Sequence, residues 1–114
     1  MPDLNKVILL GRLTKDPDLR FTTAGVAVAD LGLATNRHWR SKDGEKKSEV
    51  TFTQVTMWGG QAETICKFLD KGDPIFIEGR LCLEKWEGPE GDKRQKMKVM
   101  GESFQFVSSK DKTI

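Results

Sequence analysis

Apolar residues recur along this chain with two different periods, and the shorter one dominates. Val26 to Asn36 alternates, with Ala27, Ala29, Leu31 and Leu33 pointing one way. Asp30, Gly32 and Asn36, with Val28 and Ala34 among them, point the other way. Such alternation predicts a half-buried β-strand. Val50 to Trp58 repeats it, with Val55 and Met57 on one face and Phe52, Gln54, Thr56 and Trp58 on the other. Pro74 to Trp86 follows with Ile75, Ile77, Leu81 and Leu83 inward, and Arg94 to Val107 reads as a last strand, irregular near Gly101. Leu4 to Leu13 differs, because Val7 to Leu10 are all apolar. That run predicts a strand covered on both faces. In a small barrel the outer face would then be either a subunit contact or a surface covered by the chain's own loop or helix. The pattern leaves both readings open.

The longer period appears once. Ala62, Ile65, Cys66 and Leu69 fall at helical spacing and predict one helix over Gln61 to Lys71, with Lys67 and Lys71 at its carboxyl end and Gly72 as terminator. Lys15-Asp16-Pro17-Asp18 and Thr23-Ala24-Gly25 read as turns. Arg37 to Glu49, holding Asp43-Gly44, and Glu87 to Lys93 read as two long hairpin loops. The predicted order is three strands, a short helix, then two strands. That order implies an all-β domain: a five-stranded oligonucleotide-binding (OB) barrel with one short α-helix between strands 3 and 4 and two long β-hairpin loops, which fall where that fold commonly binds its ligand. The domain is expected to span residues 1–107, with 108–114 as a short flexible end.

Composition narrows the function classes. The chain has 114 residues, 32% of them charged, and a formal net charge of +2. One compact domain fits that length. The small net charge excludes a strongly basic DNA-coating protein of the histone type but permits local basic patches. No apolar run approaches the ~20 residues of a membrane span. After Met1-Pro2-Asp3 the first strand pattern begins almost at once, with no signal-like segment. Cys66 and Cys82 have no cysteine or histidine neighbour at metal-ligand spacing. A reducing compartment with two thiols packed in the fold is expected. His38 is the single histidine, and no Gly-rich phosphate loop is visible. Nothing requests a cofactor, a metal or an enzymatic reaction.

The tryptophans carry the functional signal. Trp39 lies in His38-Trp39-Arg40 and Trp86 in Lys85-Trp86-Glu87, both in charged, loop-like sequence, and Trp58 ends a strand before Gly59-Gly60. Flat aromatics interleaved with Lys and Arg suit a flexible polyanion with exposed flat rings, which is single-stranded nucleic acid. Other roles remain open on pattern alone. Trp58 and Phe52 fit a core, and Trp39 and Trp86 fit a protein interface, which also favours tryptophan. Lys46-Lys47 and Lys93-Arg94-Gln95-Lys96 read mainly as solvated charge runs.

Several segments resemble the bacterial single-stranded DNA-binding protein family. They are Leu4-Asn5-Lys6-Val7-Ile8-Leu9-Leu10-Gly11-Arg12-Leu13, Asp16-Pro17-Asp18-Leu19-Arg20-Phe21, Val28-Ala29-Asp30-Leu31 through Ala34-Thr35-Asn36-Arg37, Trp58-Gly59 with Gln61-Ala62-Glu63, Phe68-Leu69-Asp70-Lys71-Gly72, and Ile77-Glu78-Gly79-Arg80-Leu81. Each block is weak alone; their order and loop lengths together are specific. The resemblance implies a sequence-tolerant binder that coats and protects single-stranded DNA in replication, recombination and repair. It also implies a homotetramer working in the bacterial cytoplasm. The family's stacking positions carry over to Trp39, Phe52, Trp58 and Trp86, and strand-contacting basic positions to Lys6, Arg37, Arg40, Lys42, Lys71, Lys85 and Arg94. Two departures stand out. Gly60 occupies a position where many relatives have Lys or Arg. The sequence also ends at Lys112-Thr113-Ile114, without the acidic tail through which relatives recruit replication and repair proteins. Such recruitment is therefore expected only where a tail is present. Two rivals are a primosome-type OB protein, against which the retained aromatics argue, and an OB enzyme subunit or RNA-binding accessory factor.

Overall fold

A computed structural model describes residues 2–107. The alternating segments form strands, and the helical stripe forms the helix. In chain order these are β1 (Val7–Leu13), β2 (Asp18–Phe21), β3 (Ala27–Arg40), β4 (Lys46–Trp58), α1 (Gly60–Phe68), β5 (Pro74–Glu87) and β6 (Lys93–Phe106). The sheet runs β1-β5-β6-β4-β3-β2, and an additional pairing of β1 with β3 closes the five long strands into a barrel. Closure satisfies strand edges that an open sheet would leave unpaired. Neighbours are antiparallel except β4 and β6, which run parallel with Val55 beside Val99 and Thr56 beside Met100.

The core is the inward half of the alternation. Ala27, Ala29, Leu31 and Leu33 of β3, Val55 and Met57 of β4, Ile75 and Ile77 of β5 and Val99 of β6 are buried together with Leu13. Ala62, Ile65 and Leu69 join them from α1. The helix closes the barrel because its apolar stripe is the one surface there that loses water on packing.

Several expectations change. The chain after the Lys15–Asp18 turn forms an additional strand, Asp18–Phe21, paired only with β3 from Asp18↔Asp30 to Phe21↔Ala27, so the helix follows the fourth strand of the chain. All four residues of β2 are exposed, so it leaves no hydrophobic period to read; backbone pairing and the Arg20–Asp30 ion pair tie it to β3. The helix ends at Phe68, not Lys71. The Leu69 amide donates to the Ile65 carbonyl, while Lys71 and Gly72 lie in the following turn, tied to Asp16 and Leu13. Leu81 and Leu83 keep the inward side of the alternation but are half-exposed, because β5 leaves the barrel beyond a register shift at Glu78/Gly79. Opposite that shift lies Gly101, so the expected irregularity is present.

The two hairpins are ordered ribbons rather than long loops. Strand β3 stays paired with β4 out to Arg40↔Lys46, and β5 with β6 out to Glu87↔Lys93. Both tips use one device. The Gly44 amide bonds to the Ser41 carbonyl and Ser41 to Glu45; Gly91 bonds to Gly88 and Gly88 to Asp92. Gly44 and Gly91 have φ of 82° and 80°, which glycine adopts at no steric cost. The end proposed as flexible, 108–114, lies outside the described residues.

Strand β1 separates its two faces. Val7 and Leu9 pack on the core, whereas Ile8 and Leu10 are 59% and 57% exposed. No loop or helix among the described residues covers that outer face.

Candidate nucleic-acid interface

Residues directly opposite one another in a paired sheet share a face, so the register assembles the site. Along β4, Phe52, Gln54, Thr56 and Trp58 lie on the side away from the barrel core, opposite Ala34, Gly32, Asp30 and Val28 of β3; within that row Thr56 and Val28 are themselves buried. Met100 of β6 stands beside Thr56. From there the outward row of β6 runs back through Lys98, Lys96 and Arg94, opposite Cys82, Glu84 and Trp86 of β5. Phe52, Trp58 and Trp86 thus lie on one continuous face, with three cations in line between Trp86 and Met100.

Two side-chain bonds tie β4 to β6 on this face. The Lys96 ammonium donates to Gln54 Oε1 at 2.7 Å, and the Trp58 indole N–H donates to the Met100 sulfur at 2.8 Å. The rings remain available. Phe52 is 70% exposed, Trp58 43% and Trp86 42%, so none is a core residue. Phe52 also borders a shallow depression walled by Thr14, Lys15, Gly32, Thr53 and Gln54. Trp86 borders another with Lys85, Arg94 and Gln95.

Trp39 is placed differently. It pairs with Lys47, and alternation sets it on the opposite face of the β3–β4 ribbon from Phe52. The Arg37 guanidinium stands 4.5 Å from the Trp39 ring centroid and also meets Glu49 at 3.6 Å. Trp39 is 36% exposed, in a hollow with His38, Arg40, Lys46 and Lys47. Lys85, opposite Gln95, is likewise on the reverse side of its ribbon from Trp86.

The other basic candidates are scattered. Lys6 pairs with Glu78 at 3.0 Å, a hydrogen bond that raises its pKa. Arg40 donates to the Gly44 carbonyl, and Lys42 sits in that same tip. Arg94 pairs with Asp92 at 2.7 Å. Lys71 stands before β5, at the far end of that strand from Trp86. Lys98 and Arg80 are cations that no motif marks in the sequence, and Lys96 belongs to the Lys93-Arg94-Gln95-Lys96 charge run. Lys98 pairs with Glu84, and Arg80 with Glu102. The signal was present, because positions 94, 96 and 98 share one parity within a strand that alternation predicts. The Glu84 pKa is lowered, first by the hydrogen bond from Lys98 and then by that residue's charge. Burial raises the Cys66 thiol above its ordinary value. Among the described residues, no group of three or more His, Cys, Asp or Glu side chains is arranged to hold a metal ion.

The face can do two things chemically. Exposed rings stack on bases of any sequence, each worth ~1–3 kcal/mol. Aligned cations neutralise phosphates and release counterions. Phe52 and Trp58 are separated by six residues, roughly 20 Å at ~3.3 Å per residue, so they would meet different bases of one extended strand.

Comparison with known proteins gives a consistent result. The model of the "Single-strand binding protein family" matches residues 4–107. The chain is 47% identical over 106 residues to the single-stranded DNA-binding protein of Wolinella succinogenes, covering 93% of this chain and 65% of that one. It is 44% identical over 106 residues to that of Helicobacter hepaticus, covering 93% and 62%. The chain thus spans less than two thirds of the length of these curated relatives. Among solved structures, a Plasmodium falciparum SSB in complex with ssDNA aligns with a TM-score of 0.86 at 27% identity, covering 95% of this chain and 98% of that one. A deletion mutant of the single-stranded DNA binding protein from Thermus aquaticus aligns with a TM-score of 0.83 at 36% identity, covering 94% and 52%.

Proposed function

The chain belongs to the single-strand binding protein family, and from that membership we propose that it coats and protects single-stranded DNA, with little sequence preference, during replication, recombination and repair. One observation carries the reading. Phe52, Trp58 and Trp86 share an exposed face on which Arg94, Lys96 and Lys98 stand in line. The DNA would stack bases on those rings and set phosphates on that row, and Trp39 with Lys85 would receive the strand where it passes around the ribbons. Duplex DNA competes poorly, because its bases are already stacked on one another.

The action is binding, with no catalytic step and no cofactor. Arg94 and Lys98 are paired with Asp92 and Glu84 in the free protein. Phosphates therefore replace carboxylates as partners. Affinity should fall steeply with salt, since both counterion release and these exchanged ion pairs weaken as charges are screened. The protein acts as a homotetramer in the bacterial cytoplasm, and recruitment of replication and repair enzymes requires an acidic tail beyond this domain. No helix among the described residues is long and apolar enough to cross a membrane.

The test is titration of intrinsic tryptophan fluorescence with oligo-dT and with a duplex of equal length. Strong quenching by the single strand, weak quenching by the duplex and a steep salt dependence are expected. Equal binding of both forms would overturn the proposal.

A further inference from the structure

Gln54 occupies the middle of the aromatic face, two residues from Phe52 and four from Trp58 in the same outward row of β4. A glutamine side chain there is a potential base reader. Its amide offers one acceptor oxygen beside two N–H donors, and that combination forms a two-bond match with the N6 amino group and N7 of adenine. In this structure the oxygen is engaged by the Lys96 ammonium at 2.7 Å. The orientation is chemically fixed, because an ammonium has donors only and must face the oxygen of the amide. One lone pair is filled, and the positive charge beside the other disfavours a second N–H donor. What Gln54 presents to the groove is therefore its NH2 group.

We propose that Lys96 sets the base tolerance of this face by masking the acceptor of Gln54. A donor-only group is satisfied by every base, because each carries a carbonyl oxygen or an unprotonated ring nitrogen on a free edge. An unmasked amide would instead favour the base that returns both of its bonds. Lys96 is thus a specificity-determining residue that acts through Gln54, in addition to any phosphate it meets. The inference rests on the proposed single-strand binding and names what keeps that binding even across sequences.

The experiment compares oligo-dA with oligo-dT of equal length for the wild type, Lys96→Met, Gln54→Met and the double variant, by fluorescence titration at one salt concentration. Comparing dA:dT affinity ratios between proteins cancels the self-stacking of oligo-dA. Lys96→Met should shift the ratio toward dA by about fivefold, the lower end expected of a two-bond amide–adenine match. Gln54→Met and the double variant should both keep the wild-type ratio. If Lys96→Met weakens dA and dT equally, Lys96 is a phosphate contact alone and the inference is wrong. A shift that persists in the double variant also overturns it, since Gln54 would not be the reader. Either failure, with both oligonucleotides still quenching tryptophan, leaves the proposed function standing. Failure of the wild type to bind either oligonucleotide would overturn both.

Discussion

A tryptophan in a charged segment and a phenylalanine in a strand carry unequal information. Trp39 and Trp86 were legible as exposed because their neighbours could not build a core. Phe52 was not, because an aromatic on a strand fits either face, and only the register shows it outward with 70% exposure. That exposure separates two effects. Phe52→Ala should leave stability within about 0.5 kcal/mol, the usual range for surface positions. It should still cost ~1–3 kcal/mol in single-strand affinity if a base stacks there. Urea unfolding and DNA titration on the same variant check both. Glu84 gives a prediction in pH. Its carboxylate is held below the ordinary range by the bond from Lys98. A depressed carboxylate favours the folded state above its unfolded value, and that contribution disappears as pH falls through the folded value. Lys98→Met should raise the Glu84 pKa toward the ordinary carboxylate range, followed by NMR titration of the side-chain carboxyl. An unchanged Glu84 titration would show that Lys98 is not its partner in solution.

At the scale of elements, alternation revealed the five barrel strands because each buries one face. It did not reveal β2, whose four residues are all exposed and so leave no hydrophobic period. It also overestimated burial in β5, since period alone cannot say where a strand departs from its barrel. That departure is set by contact distances at Gly79 and Gly101, which pair with each other. A Cβ on Gly79 would collide with the Met100 carbonyl oxygen, and one on Gly101 with the Met57 sulfur. Gly79→Ala and Gly101→Ala should each destabilise by at least about 1–3 kcal/mol, the usual cost of overpacking. The first should cost more, because backbone yields less readily than the end of a methionine. Gly60→Ala, whose added Cβ meets nothing within 4 Å, serves as the control. Equal unfolding midpoints for all three would show that the β5–β6 ribbon does not depend on close approach at the Gly79–Gly101 pair.

For the whole molecule, the formal charge of +2 conceals how the charges are arranged. Arg94 and Lys98 of the cation row sit beside carboxylates and become available as phosphates replace those partners, whereas Lys96 between them is held by the neutral Gln54 amide. Joining several barrels on one strand would raise affinity without new contact chemistry. The outer face of β1 supplies a motive for such assembly. Ile8 and Leu10 are 59% and 57% exposed on one side of a strand whose other side packs on the core. Apolar side chains side by side on an ordered strand lose water when a second copy covers them. The proposed homotetramer should therefore scatter light as about four chains of 12.8 kDa at micromolar concentration. Ile8→Glu with Leu10→Glu would place two carboxylates in that contact. They should reduce the mass toward one or two chains while leaving the barrel folded, since neither side chain is in its core. Affinity for a short oligonucleotide should then persist, and affinity for a strand long enough to reach several barrels should drop. A wild-type chain that remains monomeric would remove the assembly. If the wild type is tetrameric and the double variant keeps its full mass, the interface lies on a face other than that of β1.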